Sequence, residues 1–203
     1  MKRMVLVLAL AGLLASPVWA DIVVSAQPLG STGGTRDWTC EVVYQNMDNT
    51  GGYGGLTSHY DDYDSILPGG DIHLCAVKFI GGVSEAGAAL NFSFFYPDQT
   101  FAAGFSATLP QSGNYIWTIG LGDCPTEFYV PEAGIMQISR PTGTTHTFQW
   151  FYEIDSAEIG TEDITLYGPD ATKSWCFELS HCVPEPGTLC LLALGGLALL
   201  RRR

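Results

Sequence analysis

The sequence predicts an all-β protein, a single domain built as an antiparallel β-sandwich of jelly-roll type. Between residues 21 and 182, short apolar or alternating runs are separated by Gly, Pro, Asn and Asp, and no window of twelve or more residues keeps a helical period. About ten short strands at this spacing are typical of sandwiches and jelly rolls, in which each strand turns back to pair with a neighbour.

Eleven segments have the length and composition of strands. The clearest alternation lies in residues 145–154, where Phe148, Trp150 and Tyr152 fall on one face. We expect this aromatic face to pack on the opposite sheet. The predicted strands are residues 21–26, 38–44, 71–80, 90–96, 101–109, 114–120, 126–130, 134–140, 145–154, 163–168 and 174–179.

Three stretches between these strands are predicted to be loops. Residues 47–55 are rich in glycine but lack the Gly-x-x-x-x-Gly-Lys pattern of a phosphate loop. Residues 61–64 hold three carboxylates of the kind that Ca²⁺ binds, so a calcium site is an alternative to a solvated loop there. Residues 153–163 hold five acids, and Glu153 and Asp155 are the pair we would test as the acid and base of a hydrolase.

Residues 1–20 have the layout of a secretory signal peptide. Lys2 and Arg3 precede an apolar run, and Val18 and Ala20 are the small or apolar residues that a signal peptidase accepts. The apolar run is shorter than the roughly 20 residues of a spanning helix. We expect export through the Sec translocon and cleavage after Ala20.

The expected mature chain is strongly acidic. Between residues 21 and 183 there are twenty acidic and four basic residues, a formal charge of minus sixteen. Such a surface repels phosphate backbones and anionic lipid headgroups. Nucleic-acid binding and docking on membranes through basic patches are therefore not predicted.

The expected mature domain contains an odd number of cysteines. One of the six, Cys190, lies in the apolar C-terminal run, which leaves Cys40, Cys75, Cys124, Cys176 and Cys182. Export makes disulfides plausible. Cys176 and Cys182 could close a small loop, the other three could supply one longer bridge, and one thiol is left over in any scheme.

No catalytic or cofactor-binding residue is predicted, and the protein is not expected to be an enzyme. There is no Gly-x-Ser-x-Gly motif, and His59, His73, His146 and His181 have no Ser or Cys partner in a recognisable frame. Cys176, His181 and Cys182 together make only a weak metal candidate.

Aromatic side chains offer one further kind of site. Exposed Trp and Tyr rings can stack on sugar rings, although most aromatics of a small sandwich lie in its core. Tyr53, Tyr60 and Tyr63 fall in predicted loops and are the candidates for exposure.

Residues 183–203 place a short apolar run between a Pro-Glu-Pro triplet and three arginines. A helix of the uncharged residues 188–200 is about 20 Å long, which is marginal for a hydrocarbon core of about 30 Å. Arg201, Arg202 and Arg203 would act as a membrane stop by holding that end on the cytoplasmic side. Pro184 and Pro186 favour extended backbone, which proteases and transpeptidases bind.

This order of features resembles the PEP-CTERM sorting signal of Gram-negative bacteria. The resemblance implies that an exosortase, a membrane-embedded transpeptidase-like enzyme, is the partner. It also implies that Pro184, Glu185 and Pro186 are the recognition element, that cleavage occurs near them, and that exopolysaccharide is a possible further partner.

The sequence thus predicts a signal peptide at residues 1–20, a secreted β-sandwich domain at 21–182 and a sorting signal with a short transmembrane run at 183–203. We expect an exported protein of the cell surface or extracellular matrix, inserted transiently in the inner membrane, with a non-enzymatic structural or adhesive role. A carbohydrate-binding module is the alternative, followed by a secreted hydrolase.

Overall fold

A computed structural model describes residues 22–29, 40–48, 51–56, 58–67, 69–122, 128–153, 157–161 and 174–183. Within these ranges the regular structure is entirely β, and the predicted fold class is confirmed. The strands are β1 Val23–Pro28, β2 Cys40–Asn46, β3 Gly52–Leu56, β4 Ser58–Asp64, β5 Ile72–Val83, β6 Ala88–Phe95, β7 Phe101–Leu109, β8 Gly113–Gly120, β9 Tyr129–Val130, β10 Ala133–Ser139, β11 Phe148–Glu153, β12 Ser174–Trp175 and β13 Phe177–Cys182.

The larger sheet has nine strands and is centred on β5. β5 pairs with β8 along one side and with β13 and then β11 along the other. β1 pairs with β8 at one edge of this sheet, while β2 pairs with β13 and β3 with β11 at the opposite edge. Every pairing in the sheet is antiparallel.

The smaller sheet has four antiparallel strands in the order β4-β10-β6-β7. β6 shows why it packs on the larger sheet, since buried residues alternate strictly with half-buried ones along Ala88–Phe95. Its inward side chains, Leu90, Phe92 and Phe94, are fully buried.

The core lies between the two sheets and is rich in aromatic rings. Trp117 from β8 and Trp150 from β11 are its largest fully buried side chains. Each indole keeps a hydrogen bond, because Trp117 Nε1 donates to the Gly81 carbonyl at 3.1 Å and Trp150 Nε1 donates to the Cys176 carbonyl at 2.9 Å. Burial of both rings therefore leaves neither N–H unsatisfied.

The aromatic face predicted for residues 145–154 is confirmed. Phe148 and Trp150 are buried in the core, and Tyr152 packs against it. The strand is shorter than predicted, and it ends at Glu153.

Two predicted loops are strands, and both predictions were wrong. β3, Gly52–Leu56, takes up the second half of the predicted loop at residues 47–55. Gly54 faces the rings of Trp175 and His59 so closely that a Cβ would lie 2.6 Å from Trp175. Glycine is needed there because a Cβ would overlap the Trp175 ring. β4 includes residues 61–64, where the Asp61 carboxylate is buried and accepts hydrogen bonds, while Asp64 is exposed.

One side of the sandwich is closed by residues 157–161. Ile159 bridges to Gln45 of β2 in the larger sheet, and Thr161 bridges to Asp64 of β4 in the smaller one. The Asp64 N–H and the Thr161 N–H each donate to the other residue's carbonyl, at 2.8 and 2.9 Å. We call this side, formed by β2, β4 and residues 157–161, the closed side.

Cys40 and Cys75 form a disulfide between β2 and β5, with their Cα atoms 6.4 Å apart. Cys182 is also disulfide-bonded. Cys176 is a free, buried cysteine, so the small loop that sequence spacing allowed between Cys176 and Cys182 does not form. Cys176 lies between β12 and β13, and its backbone forms hydrogen bonds with Phe151 of β11 and Ile80 of β5.

Several predicted segments lie outside the described residues, namely the signal peptide at 1–20, the strand at 163–168 and the tail beyond Val183. No helix in the part of the chain that the structure describes is long and apolar enough to cross a membrane.

Candidate functional site

The sorting tail leaves the sandwich at the end of β13. Val183 is the last described residue and is 36% exposed. Cys182, directly before it, lies opposite Cys40 where β13 pairs with β2. Cys40 itself forms a disulfide with Cys75 of β5. The predicted recognition residues Pro184, Glu185 and Pro186, and the arginines Arg201, Arg202 and Arg203, lie outside the described residues.

A buried polar cluster joins the end of β2 to β4 and β12. Asp61 is 5% exposed, and its Oδ2 accepts hydrogen bonds from the Trp175 N–H at 2.6 Å and from the Ser174 hydroxyl at 3.3 Å. Asn46 Nδ2 donates to the same Ser174 hydroxyl. The carboxylate is thus used to tie β12 to β4, which argues for a structural role.

The acidic stretches predicted as solvated loops are therefore partly interior. Asp62 is 9% exposed and Glu153 is 1% exposed. Asp155, the other candidate hydrolase residue, lies outside the described residues. Within the described ranges, no three His, Cys, Asp or Glu side chains are grouped so that they could hold a metal ion.

The weak metal candidate formed by Cys176, His181 and Cys182 is used in other ways. Cys182 is disulfide-bonded, and His181 Nδ1 accepts a hydrogen bond from the His73 N–H at 3.1 Å. Burial raises the pKa of the Cys176 thiol, and the negative charges of nearby acids, Glu153 first among them, raise it further. The thiol is held in its unreactive form.

His59 of β4 lies among aromatic rings. Its ring centroid is 3.9 Å from that of Trp175 and 6.4 Å from that of Trp150. Desolvation lowers the pKa of His59 to about 4, and a hydrogen bond with the Gly54 backbone raises it by a smaller amount. A neutral imidazole in this position packs as an aromatic ring.

Two of the three tyrosines predicted to be exposed lie at the surface. Tyr53 on β3 is 55% exposed and Tyr60 on β4 is 45% exposed. Tyr63 is 2% exposed, and its hydroxyl donates to the Pro131 carbonyl at 3.0 Å, so the prediction for this residue was wrong. Burial raises the pKa of its phenol.

Part of the outward face of the four-stranded sheet carries polar, uncharged residues. Cross-strand pairing puts Tyr60, Gln137, Ser93 and Gly104 in one row. A second row contains Ser58, Ser139, Asn91 and Ser106, in the same strand order. We call this surface the polar face, and its members are Ser58, Tyr60, Asn91, Ser93, Gly104, Ser106, Gln137 and Ser139.

Side chains of the polar face bond to one another. Gln137 Nε2 donates to the Ser58 hydroxyl at 2.9 Å, and the Ser106 hydroxyl donates to Asn91 Oδ1 at 2.7 Å. The sequence carried a signal for this surface, because Asn91 and Ser93 alternate with the buried residues of β6. That signal shows which side chains point outward, but it does not show that four strands align their polar residues.

Comparison with known proteins identifies only the tail. The family model described as the PEP-CTERM protein-sorting motif matches residues 183–203. No curated protein and no solved structure matches the chain. The resemblance read from the Pro-Glu-Pro triplet, the apolar run and the arginines is confirmed. The chain therefore carries a PEP-CTERM sorting motif after its β domain, which marks it as an exported protein targeted to an exosortase.

Proposed function

We propose that this protein acts at the cell surface or in the extracellular matrix, in a non-enzymatic structural or adhesive role. Its signal peptide is removed after Ala20, its tail inserts transiently in the inner membrane, and the exosortase cleaves near Pro184, Glu185 and Pro186. The observation that carries this proposal is the PEP-CTERM motif at residues 183–203.

The attachment of the tail supports such processing. β13 pairs with both β2 and β5, and Cys182 at its end is disulfide-bonded. Cleavage beyond Val183 would therefore remove none of the thirteen described strands. A domain with this connection can lose its tail and keep its fold.

The use of the buried polar groups supports a non-enzymatic role. Asp61 is engaged by the Trp175 N–H and the Ser174 hydroxyl, and the Cys176 thiol is buried with a raised pKa. An enzyme needs its acid, base or nucleophile accessible to substrate. Asp61 instead joins β4 to β12, and the Cys176 thiol lies in the interior.

The sorting step can be tested by replacing Pro184, Glu185 and Pro186 with alanine in a host that contains an exosortase. We expect the variant to stay in the inner membrane with Arg201 to Arg203 attached, while the wild type is released without them. Intact mass spectrometry of membrane and extracellular fractions distinguishes the two forms.

A matched control replaces the exposed Pro110 by alanine, which should leave processing unchanged. Release of wild-type protein that still carries the three arginines would contradict the proposal.

Carbohydrate binding is a second candidate function, and the polar face favours it. The face offers hydroxyl and amide groups beside an exposed tyrosine ring, and none of its eight members is charged. Four strands spaced about 4.8 Å apart make it about 14 Å wide. A neutral polysaccharide, such as an uncharged exopolysaccharide, would meet hydrogen-bonding groups and a stacking ring without burying a charge.

Binding to a panel of insoluble neutral polysaccharides tests this candidate. Tyr60→Ala should weaken binding about two- to twelvefold, since an aromatic stacking contact contributes about 0.5–1.5 kcal/mol. Tyr53→Ala is the matched control, because Tyr53 is also exposed but lies on the larger sheet. Equal loss in both variants, or no binding by the wild type, would eliminate the polar face as the site.

A further inference from the structure

The free edge of β7 differs from the other edge of its own sheet. β7 runs for nine residues, Phe101–Leu109, and within the described residues it pairs with β6 alone. Its sequence, FAAGFSATL, contains no charged residue and no proline. A long edge strand leaves a row of backbone N–H and C=O groups able to pair with another strand.

The opposite edge, β4, is protected in the ways that soluble proteins use. It carries three aspartates, Asp61, Asp62 and Asp64, and Thr161 forms two backbone hydrogen bonds with Asp64. Charge and covering both discourage pairing with a foreign strand. Among the residues that the structure describes, one edge of this sheet is blocked and the other is not.

The exposed side chains of β7 are suited to contact with another strand. Phe101 is 62% exposed, the most exposed of the large hydrophobic side chains in the described ranges, and its ring meets that of Phe95 at 5.8 Å. Phe105 stacks on Phe92 at 4.9 Å and is half-buried at the rim of the core. An added strand would cover apolar surface on both faces of β7.

The absence of charge on β7 makes it the edge at which a second copy of this chain can pair without bringing like charges together. The chain has a formal net charge of minus twelve, so two copies repel each other over most of their surfaces. β7 lets two copies approach through nine uncharged residues. An isologous contact also requires a surface that is complementary to itself, and an antiparallel pair of identical strands meets that requirement.

The edge of the larger sheet, β1, is less suited to this pairing. β1 has six residues and ends at Pro28, which cannot donate a backbone hydrogen bond. It lies near β7, on the side of the sandwich opposite the closed side. The open side thus presents one short edge and one long uncharged edge.

We propose that two copies of this chain associate through β7, which pairs antiparallel with β7 of the second copy about a twofold axis. The two four-stranded sheets then form one continuous sheet of eight strands. This inference concerns assembly and goes beyond the proposed function, and it requires neither export nor cleavage of the tail.

Charged substitutions at Ser106 and Thr108 test the proposal. Both side chains are exposed and point away from the core, so glutamate fits there without repacking. The double variant Ser106→Glu/Thr108→Glu places like charges across the twofold axis and should weaken self-association about tenfold or more. The measurement is sedimentation velocity of the full-length chain in a mild detergent, over a wide range of concentrations.

Two further variants make the test specific. Ser139→Glu lies in the same row as Ser106 but two strands away, and it should associate as the wild type does. The double variant Ser106→Lys/Thr108→Lys should also self-associate more weakly than the wild type when it is measured by itself. A mixture of the Lys and Glu double variants should restore the dimer. Circular dichroism confirms that each variant is folded.

A wild type that is monomeric at every concentration would overturn the proposal. So would a Glu double variant that associates as well as the wild type, since the contact would then lie elsewhere. Equal weakening by Ser139→Glu would show that copies meet through the polar face, and failure of the Lys and Glu mixture to associate would show that the two strands are not neighbours.

Discussion

At the scale of single residues, His59 shows how burial changes a side chain's chemistry. It is 6% exposed, it stacks on Trp175, and its pKa is lowered to about 4 because the charged form would lose its hydration. Nothing in the sequence around His59 distinguishes it from His73, which is half-buried and stacks on Tyr129 instead. The difference arises from the tryptophans, which lie about ninety residues or more away in the chain.

His59 should make the stability of the fold depend on pH. Between pH 6.5 and about 4 the unfolded chain binds a proton at this side chain and the folded chain does not, so stability falls as the pH falls. The stability that the lowered pKa of His59 contributes is fully present above pH 6.5 and is lost below about pH 4. It amounts to about 3 kcal/mol, at 1.36 kcal/mol per pKa unit.

Urea unfolding of the wild type and His59→Gln at pH 7 and pH 5 measures this effect. The wild type should lose about 2 kcal/mol more than the variant between these two values, since carboxylates titrate in both proteins and cancel in the comparison. Equal losses would show that the imidazole is protonated in the fold.

Cys176 illustrates what a residue count can and cannot predict. An odd number of cysteines in the expected mature domain requires one unpaired thiol, and counting alone establishes that. Which thiol it is depends on position, because Cys176 is buried between β12 and β13 while Cys40 and Cys75 lie within disulfide reach. The free thiol is interior, so it is poorly placed to join two chains.

At the scale of elements, residues 157–161 matter because they hold two sheets together. Gly160 lies between the bridges to β2 and β4 with a φ of 83°. A Cβ there would lie 2.4 Å from the Asp64 carbonyl oxygen and 3.0 Å from the Tyr44 ring. Only glycine suits both the backbone conformation and the space.

Gly160→Ala should therefore destabilise the fold by more than the left-handed conformation alone costs. That cost is about 1–2 kcal/mol, and displacement of the Asp64 carbonyl adds to it. Gly143→Ala is the matched control, with a φ of 86° and open space where its Cβ would lie. Thermal or urea unfolding of the two variants compares them, and equal destabilisation would mean that residues 157–161 move away without cost.

Strands with clear apolar alternation were predicted with nearly correct bounds. β7 occupies the predicted range 101–109, and β8 and β10 differ from prediction by one residue at the ends that moved. β3 and β4 were missed because glycine and aspartate are poor strand formers by local propensity. β4 is stabilised by the bond from the Trp175 N–H to Asp61, and β3 by its pairing with β11.

At the scale of the whole molecule, the two sides of the sandwich are unequal. The closed side is bridged by residues 157–161, and the open side carries the edges β1 and β7. The tail leaves from the disulfide-bonded end of β13. Processing of the tail and contact through β7 therefore concern different parts of the fold, so each can be altered by mutation without the other.

The sequence by itself determined the β class, the odd cysteine count and the PEP-CTERM motif. Each of these is written in neighbouring residues or in a simple count, because strand alternation and sorting signals are local patterns. Tertiary structure decided that Tyr63 is buried and Tyr60 exposed, and that Asp61 binds β12. It also decided that residues 157–161 cover one edge of the smaller sheet, while no described residue covers the other. These outcomes depend on contacts between residues far apart in the chain, such as Asp61 with Trp175, which no local pattern specifies.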